Sequence, residues 1–318
     1  MTRQRLFLVL RVAAWVAIGA CVLIFARQLD WDQVFRSFEG ADLRFALIAS
    51  LLAIPCSALQ GLRWSSVVRG VRRVPRFIPV AALYVGQAAS AFLPMRAGEA
   101  VRAELLARAT GISRPTAFGT LALDHSVNGL VMFAFAALLP ALLPVPRWMA
   151  VVVWAGMAGA IGLVLTLLWL AKHPESVPSG RIAHAVAHAR SGLMAARNPR
   201  AVAEAALFSA LAWCFEIGIT MLALAAFHLP HDLPHAMGVI FGVNLALAIP
   251  SPPAALGNFE LGAGTALVAF GGDPGHAAAF AIGLHAMQLL PTLIMGGVMI
   301  GTFRRPAPAP PPAGAQEA

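Results

Sequence analysis

Apolar runs of about 20 residues alternate with short polar stretches along this chain, a length that suits bilayer-spanning helices and exceeds a barrel strand. Leu6–Ala26 is interrupted only by Arg11 and reads as an uncleaved first helix, since it is too long for a typical signal-peptide core. Arg27–Asp42 reads as a polar loop and Leu43–Leu62 as the second span. A basic loop follows, holding Arg63, Arg69, Arg72, Arg73 and Arg76. Phe77–Leu93 is shorter and breaks at Pro94. Ala97–Ala109 resumes as a helix, with Glu99/Arg102 and Glu104/Arg108 at facing spacings. Thr116–Leu143, Met149–Ala171, Ala201–Phe227 and His276–Phe303 are further spans. Ala236–Ile249 is again short and again breaks at proline, in Pro250-Ser251-Pro252-Pro253. Gly257, Glu260 and an apolar leg to Phe270 follow.

Arginine placement orders these segments. If the two proline-broken segments return to the side they entered and the N-terminus lies inside, only Arg27, Arg36, Arg44 and Arg147 fall outside. A full crossing by Phe77–Leu93 would throw the basic linker Lys172–Arg200 outside and erase that bias. The expected fold is therefore all-α, with about six spanning helices plus two re-entrant broken hairpins. Gln87 and Asn244, Pro94 and Pro250, Gly98 and Gly257, and Glu99 and Glu260 recur in order in the two halves. With opposite entry sides, this points to an inverted repeat around a midplane site. The transmembrane domain is expected over residues 1–303, with halves 1–171 and 201–303 joined by a cytoplasmic linker 172–200. Residues 304–318, rich in Pro and Ala, are expected to be a disordered tail.

Composition supports this reading. The chain of 318 residues is 59% hydrophobic and 12% charged, with mean hydropathy +0.76, against about 25% charged in soluble domains. Its net charge of +9 comes from basic residues scattered through loops. The implied partner is anionic lipid at the cytoplasmic face of a bacterial inner membrane, with both termini cytoplasmic, and not nucleic acid. Cys21, Cys56 and Cys214 lie inside apolar segments and read as small core residues. His184/His188 and the His228, His231 and His235 loop lack a metal-site signature. No phosphate-binding loop, dinucleotide fingerprint or nucleophile elbow occurs, so no cofactor, no metal and no catalytic residue is expected. Gly297 and Gly301 form a Gly-x-x-x-Gly that suggests close helix packing.

Intramembrane polar residues are the candidate chemistry. Arg63, Arg96 and Arg102 present planar forks that suit phosphate oxygens, with Glu99 beside them, although Glu99 and Arg102 also suit a simple intrahelical ion pair. Asp124 and Asn128 share one helix face next to His125, and Asp124 calls for a partner such as Arg63 or Arg102. Gln87 and Asn244 supply amides. Glu216 and Glu260 are the acids of the second half, with His285 and Gln288 placed to face them; a proton-coupled step or plain structural hydrogen bonding would both use these residues. Glu204 lies near an inner helix end.

These residues fall into motifs: Leu62-Arg63-Trp64; Leu93-Pro94-x-Arg96-x-Gly98-Glu99-x-x-Arg102; Thr110-Gly111-Ile112; and Ile249-Pro250-Ser251-Pro252-Pro253-x-x-Leu256-Gly257-x-x-Glu260. Together they resemble the flippase-like transmembrane domain of lysylphosphatidylglycerol synthases and of stand-alone relatives, some associated with hopanoid biosynthesis. The resemblance covers the chain to about Phe303. It departs at Pro252-Pro253-Ala254-Ala255, where the family usually has proline followed by glycines, and lacks the aminoacyl-transferase domain. It implies translocation of a membrane lipid rather than lysyl transfer, with no specific lipid and no oligomeric state assigned. The alternative is a membrane-embedded enzyme, or an accessory subunit of one, that modifies a glycolipid, phospholipid or hopanoid.

Overall fold

In the computed structural model, residues 27, 31–93, 97–138, 140, 147–172, 191–249 and 252–303 are described. The first apolar run, Pro94–Arg96, most of the 172–200 linker, Pro250, Ser251 and the tail lie outside them. The described residues form an all-α, multi-helix membrane protein. Its helices are α1 (Trp31–Glu39), α2 (Leu43–Val71), α3 (Phe77–Ser90), α4 (Gly98–Thr110) and α5 (Arg114–Ala136), then α6 (Arg147–Lys172), α7 (Pro199–Ala226), α8 (Leu233–Ala246), α9 (Asn258–Ala269) and α10 (Pro274–Met299). Three are long and apolar enough to cross a bilayer: α2, α7, and α10 with its extension to Phe303. Phe77–Ser90, Ala150–Thr166 and Leu233–Ala246 are shorter apolar helices.

Local chemistry sets the ends of these helices. Asp42 caps α2 by accepting from the Arg44 N–H at 2.8 Å. Ser113 caps α5 through the Thr116 N–H, and Asn198 caps α7 through the Arg200 and Ala201 N–H groups. Gly111 ends α4 at φ +68°, a left-handed cap that glycine adopts without a Cβ clash. Asp232 and Asp273 cap α8 and α10 outside the apolar segments. The His235 N–H holds the Asp232 carboxyl below the usual carboxylate range, and the His276 N–H does the same for Asp273.

Helices α2 and α7 pack along much of their length. Around them α3 pairs with α4, α8 pairs with α9, and α10 bridges α2, α3 and α9. Backbone proximity holds the two short pairs. A Cβ on Gly86 would sit 2.8 Å from the Gly98 carbonyl oxygen, and a Cβ on Gly242 would sit 2.5 Å from that of Gly262. The largest core cluster runs from Val34 through Ala53, Cys56, Ile219, Leu224 and Phe259 to Phe280 and Leu284.

Four expectations need correction. The stretch read as a polar loop, Arg27–Asp42, contains α1, because Trp31, Val34, Phe35 and Phe38 recur at helical spacing and Val34 is buried against the core. The second span does not end at Leu62. It continues through Arg63 to Val71 because Arg63 is neutralised inside the bundle and need not reach water. A Cβ added at Gly297 or Gly301 would meet nothing within 4 Å from another element among the described residues; Gly296, next to Gly297 in sequence, is the residue pressed against Tyr84 and Ala88 of α3. Cys56 is buried, Cys214 is exposed, and Cys21 lies outside the described residues. The end of the linker is also packed: Leu193, Ala195 and Ala196 are buried against Val67 and Ala205.

Glycine is required where α2 meets α3. A Cβ on Gly61 would lie 2.8 Å from the Val80 Cα, so Gly61→Ala forces the backbones apart and is expected to lower stability by about 1–3 kcal/mol. Gly297→Ala is expected to leave stability unchanged or slightly raised. Thermal unfolding of both variants in detergent checks this.

Candidate functional site

Helix α2 turns a stripe of small and polar residues inward: Ala53, Cys56, Ser57, Gln60 and Arg63. Pro55 sits within this stripe and cannot donate its own backbone hydrogen bond, and the Tyr84 hydroxyl reaches the neighbouring Ile54 carbonyl at 2.5 Å. The stripe borders a pocket of about 420 Å³ between the helices. Gln87, Ser90, Glu99, Arg102, His125 and Asn128 line it from one half. Trp213, Glu216, Asn244, Ala254, Ala255 and Gln288 line it from the other.

One wall is built on Asp124, which is fully buried. Arg63 Nε donates to its Oδ1 at 2.8 Å and Arg63 Nη2 to its Oδ2 at 3.2 Å. Arg102 Nη2 donates to the same Oδ2 at 3.2 Å. The remaining Arg63 nitrogen, Nη1, donates to Asn128 Oδ1 at 2.5 Å, and the Ser209 hydroxyl donates to that oxygen at 3.0 Å. Arg102 Nε lies 2.8 Å from Glu99 Oε2, off the line of its N–H, in an ionic contact rather than an aligned hydrogen bond. Its guanidinium stacks 4.8 Å above the Trp64 ring, whose Nε1 donates to Thr120 at 3.1 Å. His125 Nε2 is 3.1 Å from Glu99 Oε2. Two buried arginines thus face two carboxylates, and only Glu99 is substantially exposed.

The other wall is polar without arginine among the described residues. Gln288 Nε2 donates to Glu216 Oε1 at 2.6 Å, and Cys56 Sγ lies 3.5 Å from Glu216 Oε2. Gln60 Nε2 lies 3.8 Å from Cys56 Sγ, and Gln87 Nε2 donates to Gln60 Oε1 at 3.1 Å. A polar track therefore joins α3, α2, α7 and α10. The Gln87 Oε1 and the Trp213 Nε1 have no hydrogen-bond partner among the described residues, although both residues line the pocket.

Of the residues singled out in the sequence, Arg63, Gln87, Glu99, Arg102, Asn128, Glu216, Asn244 and Gln288 line this one pocket. Asp124 lies behind the arginines. Asn244 uses its side-chain N–H on the Ile240 carbonyl of its own helix, which leaves its oxygen for the pocket. Glu260 and His285 are outside the lining. Glu260 accepts from the Gly257 N–H at 2.7 Å and meets His285 Nδ1 at 2.6 Å, so together they fasten the start of α9 to α10. Glu204 pairs with Arg76 near the start of α7. Arg96 lies outside the described residues. Sequence reading passed over Cys56 as a lining residue and missed Gln60 and Trp213. The recurrence of small and polar residues at helical spacing from Ala53 to Arg63 was the available signal.

This helical architecture, with a polar pocket inside an apolar bundle, defines a polytopic α-helical membrane protein. The chain belongs to the family of the lysylphosphatidylglycerol synthase transmembrane region, whose family model matches residues 11–296. The match is to the synthases' membrane region, consistent with lipid handling. The chain is also similar to Glycosyltransferase AglD of Haloferax volcanii, 24% identical over 127 residues that make up 39% of this chain and 20% of that protein. The match thus spans about one fifth of that relative's length. No solved structure matches.

Asp124→Asn removes the only carboxylate between two buried guanidinium groups and is expected to cost about 3–5 kcal/mol, read as a lowered unfolding midpoint in detergent. A second test concerns the pocket rim. Ala254 and Ala255 both have positive φ, 55° and 58°, where a Cβ is strained. Ala254→Gly and Ala255→Gly are each expected to raise stability by about 1 kcal/mol, measured the same way.

Proposed function

We propose that this protein moves a polar, phosphate-bearing lipid between the leaflets of a bacterial inner membrane. The observation that carries this reading is the polar pocket enclosed by apolar helices, in a chain whose family is defined by a lipid synthase's membrane region. Lipid headgroups are the polar cargo that a bilayer itself supplies to such a pocket, and polar groups at this depth are costly unless used.

In this reading the α3–α4 and α8–α9 pairs are two re-entrant hairpins of an inverted repeat, completed by about six spans, with both termini cytoplasmic. The halves are 1–171 and 201–303, joined by the linker 172–200. The matching glycine approaches in the two pairs support the repeat. Arg102 is the phosphate ligand: a headgroup phosphate displaces the half-exposed Glu99, while Asp124 and Trp64 hold the guanidinium in place. Arg63 adds positive charge to that wall. Gln87, Asn128, Asn244 and Gln288 replace headgroup hydration with hydrogen bonds. The lipid tails stay in the bilayer while one half rocks against the other.

Purified protein in liposomes containing a fluorescent phospholipid tests this reading. Protein-dependent exchange of the label between leaflets is expected. Gln87→Leu with Asn244→Leu is expected to slow it about tenfold, the equivalent of ~1.4 kcal/mol of lost polar contact. The similarity to part of a glycosyltransferase favours one second reading, an accessory role in glycolipid modification. Absence of lipid movement, with a changed headgroup mass when the partner enzyme is added, selects that reading instead.

A further inference from the structure

The two walls of the pocket treat charge differently. On the first, Arg63 and Arg102 are matched by Asp124 and Glu99, so no guanidinium is left over. On the second, Glu216 has no arginine, lysine or histidine nitrogen within ion-pair distance among the described residues. Its hydrogen-bond partners among the described residues are two neutral groups, the Gln288 amide and the Cys56 thiol. It sits mid-helix on α7, where α2 and α10 converge, and its side chain borders the pocket. An unpaired carboxylate charge in such a position is expensive when the pocket is closed to water and tolerable when water enters. A proton removes that cost.

We propose that Glu216 is a proton-exchange site, taking one proton from water on one side of the membrane and releasing it on the other as the pocket alternates. Gln288 donates to Oε1 at 2.6 Å, whereas Oε2 meets only the weak thiol donor Cys56 Sγ at 3.5 Å, so Oε2 is the oxygen that receives the proton, the thiol turning to accept from it. Hydronium gives its proton to the carboxylate and leaves as water; deprotonation on the far side is the reverse. No redox partner or covalent intermediate is involved. Proton coupling supplies the driving force that the translocation reading leaves open, and the coupling part of the inference rests on that reading. Proton binding itself does not.

The neighbouring titratable groups are otherwise engaged. From α2, Cys56 is a donor to Glu216, and Arg63 is held by Asp124 and Asn128. From α10, His285 is held by Glu260. From α5, Asp124 faces the arginines and His125 faces Glu99. On α8, His235 sits at the N-terminal end against Asp232. The turn before α7 contributes Arg197, which is exposed, and the start of α7 pairs Glu204 with Arg76.

Two measurements test the proposal. The first is infrared difference spectroscopy of the purified protein across a pH titration. A protonated-carboxyl band is expected in the wild type and in Glu216→Asp, and is expected to be lost in Glu216→Gln. Persistence of every such band in Glu216→Gln overturns the proton site. The second is fluorescent-lipid exchange in proteoliposomes under an imposed pH gradient. The wild-type rate is expected to change by up to about tenfold per pH unit. Glu216→Gln is expected to exchange lipid at a rate independent of the gradient. A gradient-independent wild type that still moves lipid overturns the coupling and leaves translocation standing. A titrating Glu216 in a protein that moves no lipid overturns translocation and leaves the proton site standing.

Discussion

The bundle turns on Asp124. It is the fully buried carboxylate through which Arg63 of α2 and Arg102 of α4 are fixed to α5, three helices held at one residue. Taking either guanidinium into a low-dielectric interior alone would cost several kcal/mol, and the attraction to Asp124 offsets that only because both oxygens are used. The clamp also explains the length of α2. With Arg63 neutralised, the helix runs on to Val71 instead of breaking to bring the charge to water. Trp64, one residue on, uses its ring for Arg102 and its N–H for Thr120, so the Leu62-Arg63-Trp64 motif joins the same three helices.

The second half is fastened by a different device. Glu260 caps the start of its own helix and grips His285, and Phe259 stacks on the His285 ring at 4.4 Å. Glu99 and Glu260 hold matching places in the sequence pattern, yet their settings diverge. Glu99 is part-exposed on the pocket beside Arg102, whereas Glu260 is buried away from it. Glu216 on α7 takes up the acidic position in the second wall. Corresponding motif positions thus do different work, one toward the pocket and one toward the fold.

Much of the candidate site was legible because membrane burial makes polar residues conspicuous. Asp124, Arg102 and Glu216 stand out against apolar runs, and helical spacing put Asp124 with Asn128 and His285 with Gln288. What spacing could not give was which partner each would choose. His285 and Gln288 lie within one turn of each other but separate, one to Glu260 and the other to Glu216. Helix α1 was read as a loop because Asp32, Arg36 and Glu39 mask the periodic Trp31, Val34, Phe35 and Phe38. Gln60 and Trp213 are not marked by the sequence, because a lone glutamine or tryptophan in an apolar run carries no motif and its orientation depends on how α2 and α7 cross.

The rim of the pocket shows where this chain departs from its family's sequence pattern. The resemblance leads one to expect glycines after the proline of the second motif, and the backbone here has the geometry that glycine suits: positive φ at residues 254, 255 and 257. Only Gly257 has the residue for it. Alanines at 254 and 255 hold the same turn at a cost of roughly 1–2 kcal/mol each, and strain kept at a pocket's edge persists only where the surroundings over-determine it. Pro252 and Pro253 supply that restraint from one side and the Gly257–Glu260 cap from the other. A glycine-rich loop could open by local backbone rotation. This one is tied by the Gly257–Glu260 cap to His285 and, along α10, to Gln288 and its partner Glu216, so the rim and the second wall share one helix.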